Sequence, residues 1–471
     1  MNTTIAEHTL ESLRSVVTGN VLVPDNNGYD AARRAWNLVA DQRPAIVVVA
    51  DSAADVAETM RFARANGMRV APQSTGHAAM ALEPLDGAIL LKTSRMQRVD
   101  IDPTTRGARA AAGAQWQHVT APASTHGLAA LAGSSPNVGV TGYTLGGGLG
   151  WLARRYGLAA NSLTAAEIVT ADGQLARVDA DHEPGLFWAI RGGGGSVGVV
   201  TALEMMLYPV REVYAGAVFF PITRTAELLH AWREWTDTVP DELTSIARIL
   251  RLPPLPDIPE QLRGQNFALV EACYLGDARS GADLLRPLRE LGPIMDSFAM
   301  IPASALGQLH MDPQQSVPAE GDGALLRDAP AAAIDAIVAV AGPDADTSLV
   351  SVEIRQLGGA LARKAPGGGL QATLDGKYLV LGVGFGRTAQ LGAAVRADAR
   401  ATLTALSSWR ADYDYYNFRE TPAPAKAALP VDSAQRLRRI AATYDPDHTI
   451  ISAHPVDPAG PSPHVIMPRD R

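Results

Sequence analysis

The chain has 471 residues but only one cysteine, Cys273, which excludes an internal disulfide and a cysteine-built metal cluster. That cysteine lies in the apolar run Phe267–Tyr274 and reads as a small buried hydrophobe. There is no basic excess: the net charge is -8 and the pI about 5.7, which argues against broad nucleic-acid binding. The start, Met1-Asn-Thr-Thr-Ile-Ala-Glu-His8, has neither a basic segment nor an apolar stretch, so no secretory signal is expected. No apolar run reaches the roughly 18 residues that suggest a membrane span. The default expectation is a cytoplasmic protein with no membrane and no nucleic-acid partner. Metal-ligand spacing is missing too, because His118, His126 and His230 fall in helix or cap contexts without paired ligands.

What the chain has in quantity is glycine, 43 residues, concentrated where chemistry is expected. Pro72-Gln-Ser-Thr-Gly76-His77 follows a short apolar segment, Arg69–Ala71, that reads as a strand. Glycine lets main chain approach a ligand, and the adjacent imidazole offers a nucleophilic nitrogen. Between 133 and 150, glycines stand at 133, 139, 142, 146, 147, 148 and 150. Bare peptide amides in such a run can surround a pyrophosphate. The interleaved Val138, Val140, Tyr143 and Leu145 exclude a low-complexity linker. Gly148-Leu-Gly150-Trp-Leu-Ala153 matches a dinucleotide fingerprint only formally. It lacks a preceding strand and a properly placed acid, so a nicotinamide site is not expected.

The surrounding pattern is mixed. Ala45–Val49 reads as a buried strand, and a helix follows from a Ser52/Asp55 capping box to Ala65. Arg69–Ala71 completes a βαβ-like opening with His77 beyond its carboxyl end. Strands are expected at 88–91, 99–101 and 108–112, and a helix from Gln115 to about Gly127. A hairpin at 166–170 and 175–178, a helix at 184–190 and a strand from about 199 to 207 complete the first part. After Pro209 the glycine density falls. Strands at 215–219, 267–274, 349–355 and 378–383 alternate with helices at 225–239, 277–291, 331–341 and 390–406, as in a separate α+β domain. Pro253–Pro259 and Met311–Gly323 read as loops, and no internal repeat is evident. The expected organisation is residues 1–210, 211–410 and a segment 411–471 that returns to the first domain.

The motifs together resemble the berberine-bridge-enzyme-like FAD-linked oxidases. They are Pro72–His77, Gly133–Gly157, Phe187–Val200, Tyr415-Tyr-Asn-Phe418 and Tyr444–His448, in that order over nearly the whole chain. The resemblance implies an α+β fold: a two-lobed FAD-binding domain of the PCMH type and a separate α+β substrate domain with an antiparallel sheet. It implies FAD bound covalently through His77, with Gln73, Ser74, Thr75, Gly76, Ser135, Pro136, Val138, Gly139, Gly142, Tyr143, Gly146, Gly147, Asn161, Gly198, Val200, Tyr415 and Asn417 around the cofactor. Ser135 occupies the position where many members carry a second, cysteinyl link, so one bond is expected here and not two. The usual Arg-Ser-Gly-Gly-His reads Gln73-Ser-Thr-Gly-His77 in this chain.

By the same resemblance Tyr143 stabilises reduced flavin, Val138 stands at an oxygen-gate position and Tyr415 deprotonates the substrate, with Tyr413 and Tyr416 as competitors. Asn417 reaches the ribityl chain. Glu353 and Arg355 share one face of their strand, either shaping the substrate pocket or forming a surface cross-strand pair. The implied activity is hydride transfer from an alcohol, amine or similar C–H substrate to flavin N5, with O2 returning as H2O2. The alternatives are a dehydrogenase with another acceptor and a flavin-binding protein without turnover.

Overall fold

The computed structural model describes residues 7–82, 84–254, 260, 263–422 and 427–456. Most of Pro253–Pro259 and the end of the C-terminal segment lie outside them. Three sheets organise the described chain.

The first sheet has Ile89–Lys92 at its centre, paired in parallel with both Ile46–Val49 and Val70–Gln73. Asn20–Leu22 adds an antiparallel edge. Ile46-Val-Val-Val49 is buried at every position, as expected of a parallel strand covered on both faces. The βαβ opening is present, but a third strand is inserted between its two strands. The connecting helix Ala53–Ala65 starts from a half-closed box. Ser52 Oγ accepts from the Asp55 amide, while the Asp55 carboxylate turns to the amides of Thr18, Gly19 and Asp51.

The second sheet is antiparallel, in the order Val99–Asp102, Gly107–Ala111, Val199–Met206, Leu163–Val169, Leu175–Asp179. The expected hairpin closes with Ala166 opposite Val178. Helix Val431–Tyr444 sends Ala434, Leu437 and Ala441 into this core beside Leu186 and Phe187. The tail then bonds the first sheet through Thr449 and Ile451 at Val70.

The third sheet has eight strands, all antiparallel. Six of them are Glu212–Pro221, Asn266–Tyr274, Leu243–Arg251, Ser351–Gln356, Tyr378–Phe385 and Ala319–Leu326, adjacent in that order. One face packs on the helices Thr225–Thr236, Ala278–Arg289, Ala331–Ala341 and Ala389–Ala405 through Trp232, Leu285, Ile334, Val395 and their neighbours. Fully burying each such side chain contributes roughly 1.5–3 kcal/mol. The other face looks toward the first lobe. In Ser351–Gln356, Val352 and Ile354 enter the helix-covered core, so Glu353 and Arg355 take the opposite face.

Two sequence expectations fail here. Strand Leu243–Arg251 was not foreseen, because both its faces are buried and Leu-Thr-Ser-Ile-Ala-Arg-Ile-Leu-Arg shows no clean alternation. The Met311–Gly323 loop gives way at Ala319 to a strand. Its Ala-Glu-Gly-Asp-Gly start has low strand propensity, and pairing with Tyr378–Phe385 imposes the conformation. A Cβ at Gly321 would lie 2.4 Å from the Gly382 carbonyl oxygen, so glycine permits that pairing.

Candidate functional site

Loop 74–77 leaves the end of Val70–Gln73 and faces residues 137–142. A Cβ at Gly139 would meet Ser74 Oγ at 3.0 Å. Gly76 adopts φ +86°, and a Cβ there would also strike Ala35 at 2.9 Å, so both conformation and space demand glycine. The carbonyls of Thr75 and Gly76 accept from the amides of Trp36 and Asn37. Among the described residues, the amides of Ser74, Thr75, Gly76 and His77 donate to no backbone carbonyl. Asn37 continues the clamp by exchanging side-chain hydrogen bonds with Ala319, which ties this loop to the third sheet.

His77 is held at one nitrogen and open at the other. Nδ1 lies 2.8 Å from Thr75 Oγ1, and the ring stacks on Trp36 at 4.1 Å. Nε2 is buried without a partner. Burial pushes the imidazole pKa down to about 4 against the opposing pull of Asp312 and Asn137, so it is neutral near pH 7. The tautomer with Nδ1–H donating to Thr75 leaves a lone pair on Nε2. Ser135, by contrast, already donates its hydroxyl proton to Asn137 Oδ1 at 2.8 Å.

The glycines after Gly142 serve close packing of side chains as well as backbone exposure. At Gly146 a Cβ would overlap the Asn417 side chain, whose Nδ2 donates to the Tyr143 carbonyl at 2.8 Å. At Gly147, φ is +116° and a Cβ would fall 2.9 Å from Tyr415 Cε2 and 3.4 Å from Gln371 Oε1. The Tyr143 ring fills the space beside Gly133 and Gly148. Gly142 has nothing within 4 Å of its would-be Cβ. Farther on, the buried Arg154 donates to the carbonyls of Leu243 and Leu357, so the motif also bolts the glycine run to the third sheet.

Tyr415 is buried and Tyr143 half-buried, and both hydroxyls are buried without a partner at hydrogen-bond geometry. Burial raises both pKa values well above the ordinary phenol range; Arg355 opposes the shift at Tyr143, and the Gly148 amide, Arg355 and Asn417 oppose it at Tyr415. Tyr415 stacks on Phe418, and the Arg355 guanidinium lies 4.8 Å from the Phe418 ring centre. Of the competing tyrosines, Tyr416 packs into the core of the first lobe and stacks on His454 at 4.5 Å, away from this group. Tyr413 is half-buried on the same segment.

Behind Arg355 runs a row of buried charges. Arg248 Nη1 lies 3.4 Å from Glu271, whose other oxygen is 2.5 Å from His310 Nδ1. His310 Nε2 lies 2.7 Å from Glu353, and Glu353 accepts from Arg355 Nε at 2.8 Å. Burial and Arg248 push the His310 pKa down, but Glu271, Asp312 and Glu353 together raise it to about 9. Burial alone would raise Glu353. Arg355 and His310 outweigh it and hold the carboxyl well below the usual range. The surface-pair reading of Glu353 and Arg355 is thereby overturned, since they are 3% and 9% exposed.

Several assigned residues touch protein where the resemblance assigns cofactor. Gln73 donates to Gln42 and accepts from Lys92 Nζ at 2.7 Å, which occupies both ends of its carboxamide. Asn161 bonds the 369–371 loop through the Gln371 carbonyl and the Gly369 amide. Val200 lies in the first-lobe core and Val138 packs against it, while Gly198 precedes the same strand. Pro136 packs beside Gly307. Sequence reasoning missed His310, Gln371 and the buried Lys92, whose pKa burial lowers to about 8. Lys92 ends an otherwise apolar strand, a detectable signal, whereas His310 sits in a loop with no local mark. Cys273 is buried and burial raises its thiol pKa, consistent with a hydrophobe's role. His118 caps its own helix by accepting from the Gln115 amide, and His230 pairs with Asp335. Among the described residues no group of three His, Cys, Asp or Glu could hold a metal, and no helix is long and apolar enough to cross a membrane.

The 74–77 loop offers main-chain amides that donate to no backbone carbonyl beside a neutral histidine open at Nε2, and residues 44–179 match the model of the FAD binding domain. The chain is 37% identical over 203 residues to (R)-6-hydroxynicotine oxidase of Paenarthrobacter nicotinovorans, covering 43% of this chain and 44% of that protein. Such alignments span about half the length of the first curated relatives. The fold matches the BBE-like 1 protein of Physcomitrella patens with TM-score 0.82 at 18% identity, over 95% of this chain and 99% of that one. It matches 6-hydroxy-D-nicotine oxidase of Arthrobacter nicotinovorans with TM-score 0.76 at 25% identity, over 92% and 96%. Residues 44–179 thus carry an FAD binding domain, and the chain as a whole has the fold of the BBE-like proteins. Its residues fit the cofactor: polar atoms of Ser74, His77, Thr141, Tyr143, Gln371 and Tyr415 are buried without hydrogen-bond partners, and buried polar groups require partners.

Proposed function

We propose that the protein is an FAD-linked oxidase carrying one covalent flavin bond, at His77 Nε2, and dehydrogenating an alcohol, amine or similar C–H substrate. The observation that carries this reading is the His77 ring itself. It is neutral, anchored at Nδ1 by Thr75, stacked on Trp36, and open only at Nε2. Ser135, already bonded to Asn137, supports a single link.

Bound FAD supplies the hydride acceptor. The net reaction removes two hydrogens from a CH–OH or CH–NH unit and delivers them to O2 as H2O2. Tyr415 takes the heteroatom proton. Burial opposes that role, and the Gly148 amide, the Arg355 cation and Asn417 favour it. Tyr143 donates to negative charge developing in the cleft. Asn417 fixes the Tyr143 backbone, and so the wall of the cleft. Glu353, ionised and tied on both oxygens, positions Arg355 and does not act as base.

Acid precipitation tests the covalent bond: yellow should stay with the wild-type pellet and move to the supernatant for His77→Ala. A colourless wild-type pellet would falsify the linkage. Turnover with O2 compared with turnover with an artificial dye separates oxidase from dehydrogenase, and Val138 at the gate position supports the oxidase reading.

A further inference from the structure

We propose that the substrate carries a carboxylate, or an equivalent oxyanion, and docks it on the two terminal nitrogens of Arg355. This rests on the FAD-linked reading above and extends it to the substrate class. Arg355 is 9% exposed, yet only its Nε is bonded to protein. Its terminal nitrogens donate to nothing among the described residues, although a buried guanidinium ordinarily finds acceptors for its donors. Its face is taken by the Phe418 ring, which leaves the outer, forked edge as the docking surface.

Charge decides what docks there. Along the buried row the signs alternate from Arg248 through Glu271, His310 and Glu353 to Arg355, so it begins and ends on a cation. Both oxygens of Glu271 and both of Glu353 are already engaged within the row. The remaining carboxylate nearby, Asp312, accepts from Ser134 and acts on Arg355 and His310 only through space. Among the described residues no carboxylate lies within ion-pair distance of the terminal nitrogens of Arg355. A neutral carbonyl offers one oxygen and no charge, whereas a carboxylate offers two oxygens at the fork's spacing and a direct charge-assisted partner for both terminal nitrogens. The Tyr143 and Tyr415 hydroxyls lie within the field of Arg355 and have no protein acceptor, so their O–H groups can donate to the same anion or to the reacting heteroatom. A small hydroxy acid, amino acid or other oxidisable carboxylate satisfies all three.

The test titrates flavin-loaded protein with two matched pairs, benzoate against benzamide and acetate against acetamide, following the visible flavin spectrum. In wild type at least one acid should bind about 10- to 100-fold more tightly than its amide, the range of a charge-assisted hydrogen bond. Arg355→Gln should erase that preference without weakening the amide, and Arg355→Lys should retain part of it. Sulfite affinity is read alongside, because it reports positive charge at the flavin itself. Wild type that responds to no acid, or binds acid and amide alike, overturns the proposal even if the glutamine variant does not fold. So does an Arg355→Gln protein that keeps the preference and loses only sulfite affinity, since Arg355 would then serve the cofactor. A preparation that holds no flavin at all overturns instead the reading on which this one stands.

Discussion

The wall formed by residues 74–77 and 133–150 presents main-chain amides and side chains without partners, whereas the wall on the eight-stranded sheet presents ionised side chains already balanced against one another. The first wall is incomplete without a ligand, because its buried polar atoms lack partners until one arrives. The second completes itself through Glu271, His310 and Glu353 and leaves only the edge of Arg355 free. Damage to the first wall should therefore appear in cofactor retention, and damage to the second in folding stability and substrate recognition. Tyr415, on the C-terminal segment, joins the two. It touches Gly147 on one side and feels Arg355 on the other.

The largest expected effect is at that junction. Tyr415→Phe should lower the anaerobic rate of flavin reduction by about 10²- to 10⁴-fold, the usual contribution of a positioned acid or base. Flavin content should be largely retained, because the aromatic ring that packs beside Gly147 is kept. Stopped-flow reduction at saturating substrate is the measurement, and a variant reduced at the wild-type rate removes Tyr415 from the proton path.

The second prediction sharpens the contrast in stability. His310 has a folded pKa of about 9 against an unfolded value of 6.5. Folding is thus favoured by its protonation. That contribution is fully present below pH 6.5 and is lost as pH rises through 9, about 3 kcal/mol in all. Urea denaturation of His310→Gln should show a weaker protein at pH 6.5 and a difference from wild type that shrinks toward pH 9. A constant difference across that range would mean that His310 does not carry the charge between the two glutamates.

The same contrast explains what was legible in the sequence. Gly76, His77 and the run from Gly133 to Gly150 are contiguous, and their chemistry needs glycine at fixed places, so the cofactor wall is visible in the one-dimensional pattern. Most strands and helices are visible for similar local reasons. The charged wall is assembled from Arg248, Glu271, Glu353 and Arg355, far apart in sequence and brought together by strand register, with His310 entering from a loop. Only the period-2 pairing of Glu353 with Arg355 hinted at it. Nothing local distinguishes a buried His310 from one in a surface loop, and the low strand propensity of Ala319–Leu326 hid an edge that tertiary pairing supplies.

Two glycines in the run separate packing from cofactor contact, with effects smaller than those above. Gly147→Ala combines a left-handed backbone with a Cβ 2.9 Å from the Tyr415 ring, so it should cost roughly 1–3 kcal/mol of stability and displace Tyr415. Gly142→Ala meets no protein atom within 4 Å, lies inside the short helix Val140–Leu145, and has no positive φ. Alanine there should leave stability unchanged or raise it by about 0.5–1 kcal/mol. If open space beside Gly142 belongs to the cofactor, the added methyl should still lower flavin content in protein refolded with limiting FAD. Full flavin loading in Gly142→Ala would move the cofactor away from this turn and leave the 74–77 loop as the main-chain surface that holds it.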